Sequence, residues 1–397
     1  MTTTPKYMTV HVLTTLPWHN LNRDDRGMPK TLTQGGVTRG MLSSQSLKRA
    51  ARLDYELASQ DASYRSASHA YKLVADRMNH IVAATPGAAP LDHEKALKDA
   101  KVAIDKLVKK VKEAEEKAQG KPKGKAATPT ELAAATEKDK DTNVWLSDDE
   151  VDGLAHALIT ELASGKTPTE ANSVVGVNGQ VTSLAIAAFG RMFANAPRQQ
   201  TNAAIAVSPA TTTHQIVFET DYFAVVDDLN EKYAEATKTR GASYLDSANY
   251  TTGVYYRAIT IDREQLRRSW SSFNDPDATA RVRALVRSLI CALPSGKKTS
   301  TAPYTKPLLV LAEEQTGRCA YEFETPVQPD ADGGYKANSV QAVLDQRADA
   351  VAFDPKGFGP ATLAGTALTD SNLKGIDDLT TGNLETVIDH VIEWLIR

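Results

Sequence analysis

The chain has 397 residues, a formal net charge of −3 and a hydrophobic content of 41%, which is enough for a sizeable core. No apolar run approaches the roughly 20 residues that cross a bilayer, and the start lacks the pattern of a secretory signal. Cys291 and Cys319 are its two cysteines, so the sequence excludes a disulfide framework, gives no zinc-site spacing and predicts a cytoplasmic protein without membrane contact.

The beginning of the chain predicts two strands and a helix. Tyr7–Thr15 alternates in the way of a strand, and a loop over Leu16–Gly36 follows, broken by Gly and Pro. Val37–Leu42 predicts a short second strand. Ser43 or Ser44 then caps a helix whose apolar residues form one stripe.

Helical periodicity dominates from Ala70 to about Ser164. Within it, apolar residues keep heptad spacing over Leu97–Ala118, which predicts an amphipathic or coiled-coil-like helix. A connector rich in Gly, Pro and Lys follows, and its lysines either touch nucleic acid or keep a mobile insertion solvated. Composition favours the solvated insertion.

Short strands and helices alternate beyond residue 180. The patterns predict a buried segment at Val181–Arg191, strands at Ala203–Val207, Thr211–Phe218, Val254–Ile261 and Leu308–Ala312, and helices at Asp277–Ala292 and Asn383–Ile396. Helices interleaved with strands predict an α+β or α/β architecture.

Positive charge is concentrated at the beginning of the chain. Residues 1–52 carry eight Lys or Arg against two Asp, a net charge of +6. Residues 301–397 carry seven Lys or Arg against fifteen Asp or Glu, a net charge of −8. The basic cluster in Leu21–Arg52 therefore indicates a polyanion-binding surface, whereas the acidic end either meets a basic partner, such as another copy, or is ordinary surface.

The residues around this cluster suit phosphate binding. Gly35 and Gly36 let backbone amides approach a phosphate closely. The start of the following helix offers unpaired N–H groups, and Lys48 and Arg52 lie beside it. Nothing in this pattern reads base edges, so it predicts binding that does not depend on nucleotide sequence.

Asp24 and Asp25 are the one candidate for catalysis. No serine-hydrolase, metalloprotease or P-loop motif is present. Adjacent carboxylates could hold Mg²⁺ or act as a base on a phosphodiester. The favoured interpretation is that one of them pairs with Arg23 or Arg26 and shapes the loop.

Several motifs in order resemble the CasC family, the backbone subunit of the type I-E CRISPR Cascade complex. The first is Asn22-Arg23-Asp24-Asp25 with Lys30, followed by Gly35-Gly36 and the sequence SSQSLKRA over residues 43–50. The later motifs are Gly190-Arg191-Met192, residues 212–215 (TTHQ), residues 222–229 (YFAVVDDL), residues 253–257 (GVYYR) and Gly296-Lys297-Lys298. Residues 91–141 depart from the family, being longer and richer in Lys and Ala.

The resemblance implies an α+β fold shaped as a hand. Its palm is a modified RRM-like, ferredoxin-like sheet built from residues 1–59, 181–215 and 254–397, the last part with C-terminal helices. Helical fingers at 60–180 contain the mobile Lys/Ala-rich insertion at 91–141, and residues 216–253 form a thumb β-hairpin.

The resemblance also implies a non-catalytic, crRNA-binding backbone subunit without a cofactor. Copies polymerise along the guide RNA, kink it at intervals and present it to target DNA in antiviral defence. The implied partners are crRNA, target DNA, further copies, and the guide-processing, small, large and tail subunits. Two alternatives stay open: a metal-dependent endoribonuclease that cleaves target RNA through Asp24 or Asp25, as type III backbone subunits do from a comparable loop, and a coiled-coil scaffold.

The family motifs also imply the RNA-binding residues. Those on the palm are Arg23, Lys30, Arg39, Ser44, Gln45, Lys48, Arg49 and Arg52, with Lys297 and Lys298 in a second basic loop. Met192 takes the place of an apolar wedge, and Tyr222 and Phe223 lie on the thumb. Aromatic and apolar side chains can stack on bases or wedge between them without reading them, although Met192 and Phe223 are equally suited to a core.

Overall fold

The fold is described from a computed structural model. The structure describes residues 5–66, 68–108, 143–164, 171–193, 196–225, 244–369, 373 and 378–397. Two compact units are present. The sheet unit comprises Met1–Tyr55, Ile205–Arg263 and Thr279–Arg397, and the helical unit comprises Glu56–Ala204 and Glu264–Ala278.

Strands and helices are interspersed along the chain. The strands are β1 (Tyr7–His19), β2 (Thr31–Gln34), β3 (Val37–Leu42), β4 (Ser63–Ser66), β5 (Val144–Ser147), β6 (Ile205–Val207), β7 (Ala210–Thr212), β8 (Phe218–Val225), β9 (Tyr244–Asp262), β10 (Leu309–Gln315), β11 (Phe358–Ala364) and β12 (Leu379–Thr381). The helices are α1 (Ser44–Ser59), α2 (Ala70–Ala84), α3 (His93–Val108), α4 (Asp148–Ala163), α5 (Leu184–Phe189), α6 (Arg263–Ser269), α7 (Ala278–Cys291), α8 (Lys298–Thr301), α9 (Lys336–Phe353) and α10 (Leu384–Ile396). In the described part of the chain, no helix is long and apolar enough to span a membrane.

One large sheet organises the sheet unit. Its strand order is β12-β11-β10-β1-β9-β7-β3-β2, and β6 and β8 also pair with β9. Every pairing is antiparallel except the one between β11 and β12. Strand β1 lies between β9 and β10, and most of its residues are buried. A central strand covered on both faces explains why its sequence is largely apolar.

The core of this sheet follows a ferredoxin-like plan. The elements β1, α1, β6, β9, α7 and β10 follow one another as βαββαβ, and their strands lie side by side in the order β10-β1-β9-β6. This is the split βαβ arrangement of ferredoxin-like folds. The α+β class and the ferredoxin-like palm expected from the resemblance are confirmed.

A hairpin extends from this sheet. Eight residues of β8 pair with β9 from Phe218↔Thr251 to Val225↔Tyr244, and most side chains of this stretch are exposed. The polar pattern from residue 219 onward hid these strands in the sequence, and the resemblance supplied the hairpin. Residues 226–243 of the predicted thumb lie outside the described residues.

The helical unit has a core of its own. Helices α2, α3 and α4 bury Val74, Met78 and Leu154 together, and the heptad positions Ala100 and Leu107 belong to the same core. The described part of the heptad stripe is therefore an internal core face. Residues 109–141 of the predicted insertion lie outside the described residues.

The boundaries of the units differ from those predicted. Residues 181–204, expected in the palm, group with the helical unit, as do residues 264–278. Val181 forms a bridge with Trp270, and the Trp270 indole donates to the Thr182 carbonyl at 2.8 Å. Such contacts between distant segments decide the boundary, whereas the sequence shows only that the segment is apolar.

Two predicted elements also need correction. The loop predicted over Leu16–Gly36 contains the end of β1 and the whole of β2, which pairs with β3. The strand predicted over Thr211–Phe218 is interrupted between β7 and β8. There His214 accepts a hydrogen bond from the Val254 amide through its side chain, which replaces regular strand pairing.

The Gly pair closes the β2–β3 hairpin. Gln34 pairs with Val37, which leaves Gly35 and Gly36 as a two-residue turn with φ of +61° and +74°. Positive φ at both positions is the type I′ pattern that favours glycine. A Cβ at Gly35 would lie 1.8 Å from the Glu324 carbonyl oxygen, so this residue packs against protein backbone and does not offer the bare amide predicted for phosphate.

Alanine substitutions at Gly35 and Gly36 should differ in how much they lower the unfolding free energy. Both variants place a Cβ in the left-handed region, which costs about 1 kcal/mol of unfolding free energy. Gly35→Ala also forces the Glu324 backbone to move, so we expect it to cost about 1 kcal/mol more. At Gly36 a Cβ meets nothing within 4 Å, which makes Gly36→Ala the matched control in denaturant titrations. Equal losses of unfolding free energy in the two variants would show that the close approach of Gly35 to Glu324 does not affect stability.

Candidate nucleic-acid interface

The Asn-Arg-Asp-Asp segment forms a tightly bonded loop at the end of β1. The carboxylate Oδ1 of Asp24 accepts hydrogen bonds from the amides of Arg26 and Met28, both at 2.9 Å. The Lys30 amide donates to the Asn22 carbonyl at 2.9 Å. Asp24 thus shapes the loop through backbone amides, as the favoured interpretation of the sequence expected, although its partners are amides and not arginine side chains.

Asn22 joins this loop to helix α1. Its side-chain oxygen accepts a hydrogen bond from the Ser43 amide at 2.8 Å, and Ser43 Oγ in turn accepts from the Ser46 amide at 3.3 Å. Ser43 is therefore the N-cap, and the helix begins at Ser44. The first motif and the helix start form one connected structure.

Helix α1 buries one stripe and presents basic residues on the others. Leu47, Ala51 and Tyr55 are buried, as the predicted stripe requires. Arg49 is exposed, and Lys48, at the start of the second turn, is half-buried. Partial burial lowers the pKa of the Lys48 amine because desolvation disfavours its charge. A phosphate beside it would favour the charged form of the amine and make a charge-assisted hydrogen bond with it.

Arg39, which was predicted among the RNA-binding residues of the palm, is buried inside the sheet unit. Its side chain has no exposed surface, and its guanidinium donates to the carbonyls of Thr212 at 2.9 Å and Phe323 at 2.7 Å. It also donates to the carbonyls of Gln34 and Glu324 at 3.3 Å. Arg39 therefore joins β3 to β7 and to the segment around residue 323, and a phosphate cannot reach it.

The Gly-Lys-Lys motif packs against the same loop. A Cβ at Gly296 would lie 2.4 Å from the Leu21 carbonyl oxygen, so only glycine fits this contact. On the other side, the Asn20 amide group donates to the carbonyls of Gly27 and Asn249, both at 2.9 Å. The loop at residues 20–30 is thus held between the Gly-Lys-Lys motif and the β9 end of the hairpin.

The predicted residues differ in exposure. Arg23, Gln45, Arg49, Met192, Tyr222 and Phe223 are exposed. Lys30, Ser44, Lys48, Arg52, Lys297 and Lys298 are partly buried. The palm residues and the two lysines of the second loop all lie in the sheet unit, and among them Arg39 is fully buried. Their contacts with RNA stay predictions.

The described part of the hairpin is aromatic and acidic. Tyr222 is 74% exposed and Phe223 is 39% exposed, and the Phe223 ring lies 6.5 Å from that of Tyr244. Residues 217–225 and 244–253 contain Glu219, Asp221 and Asp246 and no Lys or Arg. This part of the hairpin suits stacking or wedging against bases, whereas it would repel phosphates.

Met192 projects from a rigid anchor in the helical unit. It is 72% exposed, whereas its neighbours Arg191 and Phe193 are buried. The Arg191 backbone exchanges two hydrogen bonds with Thr201, and its guanidinium binds both carboxylate oxygens of Glu150. Exposure excludes a core role for Met192 within the described residues and fits the predicted wedge.

The sequence reasoning missed His19, which fixes the start of the loop. Its Nδ1 accepts a hydrogen bond from the Leu21 amide at 3.3 Å, which leaves the Nε2–H to donate to the Tyr255 hydroxyl at 3.1 Å. Burial lowers the pKa of His19 from 6.5 to about 4. The signal in the sequence was weak, because a single histidine in an apolar context is ordinary.

We expect acid to destabilise the fold through His19. In the unfolded chain His19 binds a proton below about pH 6.5, whereas in the folded state it does so only below about pH 4. The unfolding free energy therefore falls as the pH is lowered from about 6.5 to about 4. At about pH 5 the unfolding free energy should be about 2 kcal/mol lower than at about pH 7.5. His19→Gln should flatten this part of the profile in urea titrations, and the exposed His80→Gln should not. An unchanged profile for His19→Gln would contradict the assignment.

No metal cluster supports catalysis in the described residues. Across them, no group of three or more His, Cys, Asp or Glu side chains lies in a position to hold a metal ion. Asp25 is exposed beside the bonded Asp24. The loop beside Asp25 is thus fixed by backbone hydrogen bonds, and no such metal cluster accompanies it among these residues.

Comparison with known proteins identifies the family of this chain. The family model described as CT1975-like protein matches residues 8–394. The chain belongs to the CT1975-like family. A search among curated protein sequences gives no significant match.

Solved structures show the same fold as this CT1975-like chain. One chain described as "CRISPR RNA-guided surveillance complex, pre-nicking" superposes with a TM-score of 0.72 at 22% identity, covering 98% of this chain and 99% of the other. Another, described as "CRISPR RNA-guided surveillance complex", gives a TM-score of 0.66 at 19% identity over 98% and 99% of the two chains. At this identity the likeness concerns the fold.

Proposed function

We propose that this chain is the crRNA-binding backbone subunit of a type I-E CRISPR Cascade complex, as the CasC-like motifs indicate. Copies polymerise along the guide, and each holds a short run of its phosphates. The guide then pairs with target DNA in antiviral defence, in the cytoplasm and together with the guide-processing, small, large and tail subunits. The subunit itself is non-catalytic and uses no cofactor.

One observation carries this proposal. The loop at residues 20–30 is hydrogen-bonded to the start of α1 and packs closely against the Gly-Lys-Lys motif, which lies more than 250 residues away in sequence. These three segments carry a cluster of basic residues in a chain whose net charge is −3, namely Arg23, Arg26, Lys30, Lys48, Arg49, Lys297 and Lys298. A concentrated basic surface on an acidic protein is an electrostatic footprint of nucleic-acid binding.

The chemistry of the surface suits a guide whose bases must stay available. Lys and Arg side chains near a helix N-terminus bind phosphates, and such contacts carry no sequence information. In RNA-guided recognition the bases read the target, so the protein has to hold the backbone. The aromatic hairpin adds side chains that can displace a base at intervals without reading it.

The alternative function is a metal-dependent endoribonuclease using Asp24 or Asp25. Two backbone amides already occupy Oδ1 of Asp24, which favours a role in shaping the loop. The assembled complex, incubated with complementary RNA and Mg²⁺, separates the two functions. We expect intact RNA, and cleavage at regular intervals that is lost in Asp24→Asn or Asp25→Asn would overturn the non-catalytic assignment.

Co-purification tests the proposed function directly. The chain is expressed with its operon neighbours and a repeat-spacer array, and bound RNA is extracted and sequenced. We expect spacer sequences flanked by repeat-derived ends, in a particle that contains several copies of this chain. Random RNA fragments, or a particle without RNA, would contradict the proposal.

A further inference from the structure

Trp18 occupies an irregular position at the end of β1. The pairing between β1 and β9 shifts register between Leu16 and His19, so Pro17 and Trp18 form a bulge. Trp18 has a φ of +32°, which is strained for a residue with a side chain, and its amide donates to Thr252 Oγ1 at 2.8 Å. Bulges and strained residues that the surroundings hold in place are concentrated at functional sites.

The indole of Trp18 is supported on one face and open elsewhere. Its ring stacks on that of Tyr250 with centroids 4.1 Å apart and planes 20° apart. Tyr250 is 5% exposed, whereas Trp18 is 37% exposed. Because Tyr250 covers one face of the indole, the exposed area lies on its other face and edges. A buried tyrosine under an exposed tryptophan makes a rigid aromatic surface.

Lys297 and the loop at residues 20–30 lie beside this stack. The Lys297 amine is 3.3 Å from the Tyr250 hydroxyl and 5.1 Å from the centre of its ring. Two residues after Trp18, Asn20 begins the bonded loop that carries Arg23. An aromatic surface beside basic side chains is the combination that proteins use to hold single-stranded nucleic acid.

Trp18 also differs from the other three tryptophans of the chain. Trp145, Trp270 and Trp394 are 8%, 1% and 0% exposed, and each indole N–H donates a hydrogen bond within its own unit. These three rings are therefore packed in the interior of the protein. An exposed tryptophan held on a strained bulge needs a different explanation.

We propose that Trp18 is a stacking platform for one nucleobase of single-stranded RNA bound along the basic surface. This inference rests on the proposed function and adds a base-binding position to it. Stacking accepts any base, because every base presents an aromatic face, so the platform agrees with a guide of arbitrary sequence. Lys297 stabilises the stack and supplies positive charge to the adjacent phosphate.

The fluorescence of Trp18 provides the test. The full-length protein is titrated with a single-stranded oligouridylate of about ten nucleotides, and tryptophan emission and affinity are measured. We expect quenching of the solvent-exposed emission on binding, because a base stacked on an indole quenches it. Trp18→Leu should lose the quenching and bind roughly 5- to 100-fold more weakly, which corresponds to the loss of one stacked base.

A conservative variant and a charge variant control the result. Trp18→Phe retains a ring that can stack on both Tyr250 and a base, so its affinity should stay within a few-fold of the original protein while the quenching is lost. Arg49→Ala should weaken binding and leave the quenching at saturation unchanged. Thermal melts show whether each variant is folded.

The outcomes separate the platform from the proposed function. If Trp18→Leu binds RNA as tightly as the original protein and Arg49→Ala does not, the platform is wrong and the RNA-binding surface stands. If the original protein binds no RNA, both are wrong. If Trp18→Phe loses affinity as far as Trp18→Leu does, Trp18 acts through packing, and the stacking platform is overturned.

Discussion

Replacing Arg23, Lys30 and Arg49 together by alanine should weaken RNA binding about 100-fold at about 0.1 M salt. Each phosphate contact on a single strand contributes about 0.7 to the slope of log K against log salt concentration. The loss of three contacts therefore lowers the magnitude of the slope by about 2. Over the tenfold range between 1 M and 0.1 M salt, this corresponds to a loss of about two orders of magnitude in RNA affinity at the lower salt concentration. Fluorescence anisotropy with a labelled single-stranded RNA, repeated over a range of salt concentrations, measures both quantities.

The matched control removes the same charge from other surfaces. Lys98, Lys336 and Lys356 are exposed and lie outside the basic cluster. Their triple alanine variant should leave the affinity within a few-fold of the original protein and the salt slope unchanged. If both triple variants lose affinity equally, binding follows net charge and the basic surface has no special role.

Glu150→Gln should lower the unfolding free energy by about 3–5 kcal/mol. Glu150 and Arg191 are both 7% exposed, and they form a bidentate ion pair in the interior of the helical unit. The Glu150 carboxylate also accepts from the amides of Ser147 and Gly176, at 3.0 and 2.9 Å. Removing its charge leaves the Arg191 guanidinium buried without its counter-ion, which is the costly case among ion-pair substitutions.

An exposed ion pair provides the comparison. Asp389 pairs with Arg283, and the two side chains are 51% and 38% exposed. Asp389→Asn makes the same carboxylate-to-amide change and should cost at most about 1 kcal/mol, because water screens the pair. Chemical denaturation followed by circular dichroism measures both variants. Similar losses would show that burial of the Glu150–Arg191 pair does not decide its contribution.

This ion pair also connects stability to the proposed function. Arg191 immediately precedes Met192, and its side chain fixes the backbone from which Met192 projects. Loss of the pair should therefore disturb the position of the wedge as well as the stability of the unit. Met192→Ala, which leaves the pair intact, isolates the contribution of the exposed side chain to RNA binding.

Local sequence patterns were sufficient to predict many of the helices and strands. The stripe of Leu47, Ala51 and Tyr55 predicted the buried face of α1, and Asn383 marked the start of the last helix. These features follow from periodicity and capping, which act over a few residues. The hairpin at β8 was invisible to the same reasoning because its exposed strands lack alternation, and the family motifs indicated it instead.

Burial of charged residues could not be predicted in this way. Arg39 lies in a basic cluster and was assigned to RNA, yet its carbonyl partners Thr212 and Phe323 are 173 and 284 residues away in sequence. Arg191 likewise gave no sign of its pairing with Glu150. A sequence reports the charge of a side chain, whereas its desolvation depends on which distant segments cover it.

The sequence by itself determined the basic character of residues 21–52 and the motifs that indicate guide RNA, and through the resemblance carried by those motifs it implied the α+β class. Only the tertiary structure decided which of those residues face solvent, that Asp24 bonds to backbone amides, and that Trp18 stacks on Tyr250 beside Lys297. The physical reason is the distance along the chain over which each kind of interaction acts. Capping, periodicity and charge act between neighbours in the chain, whereas the site is assembled by contacts between residues hundreds of positions apart.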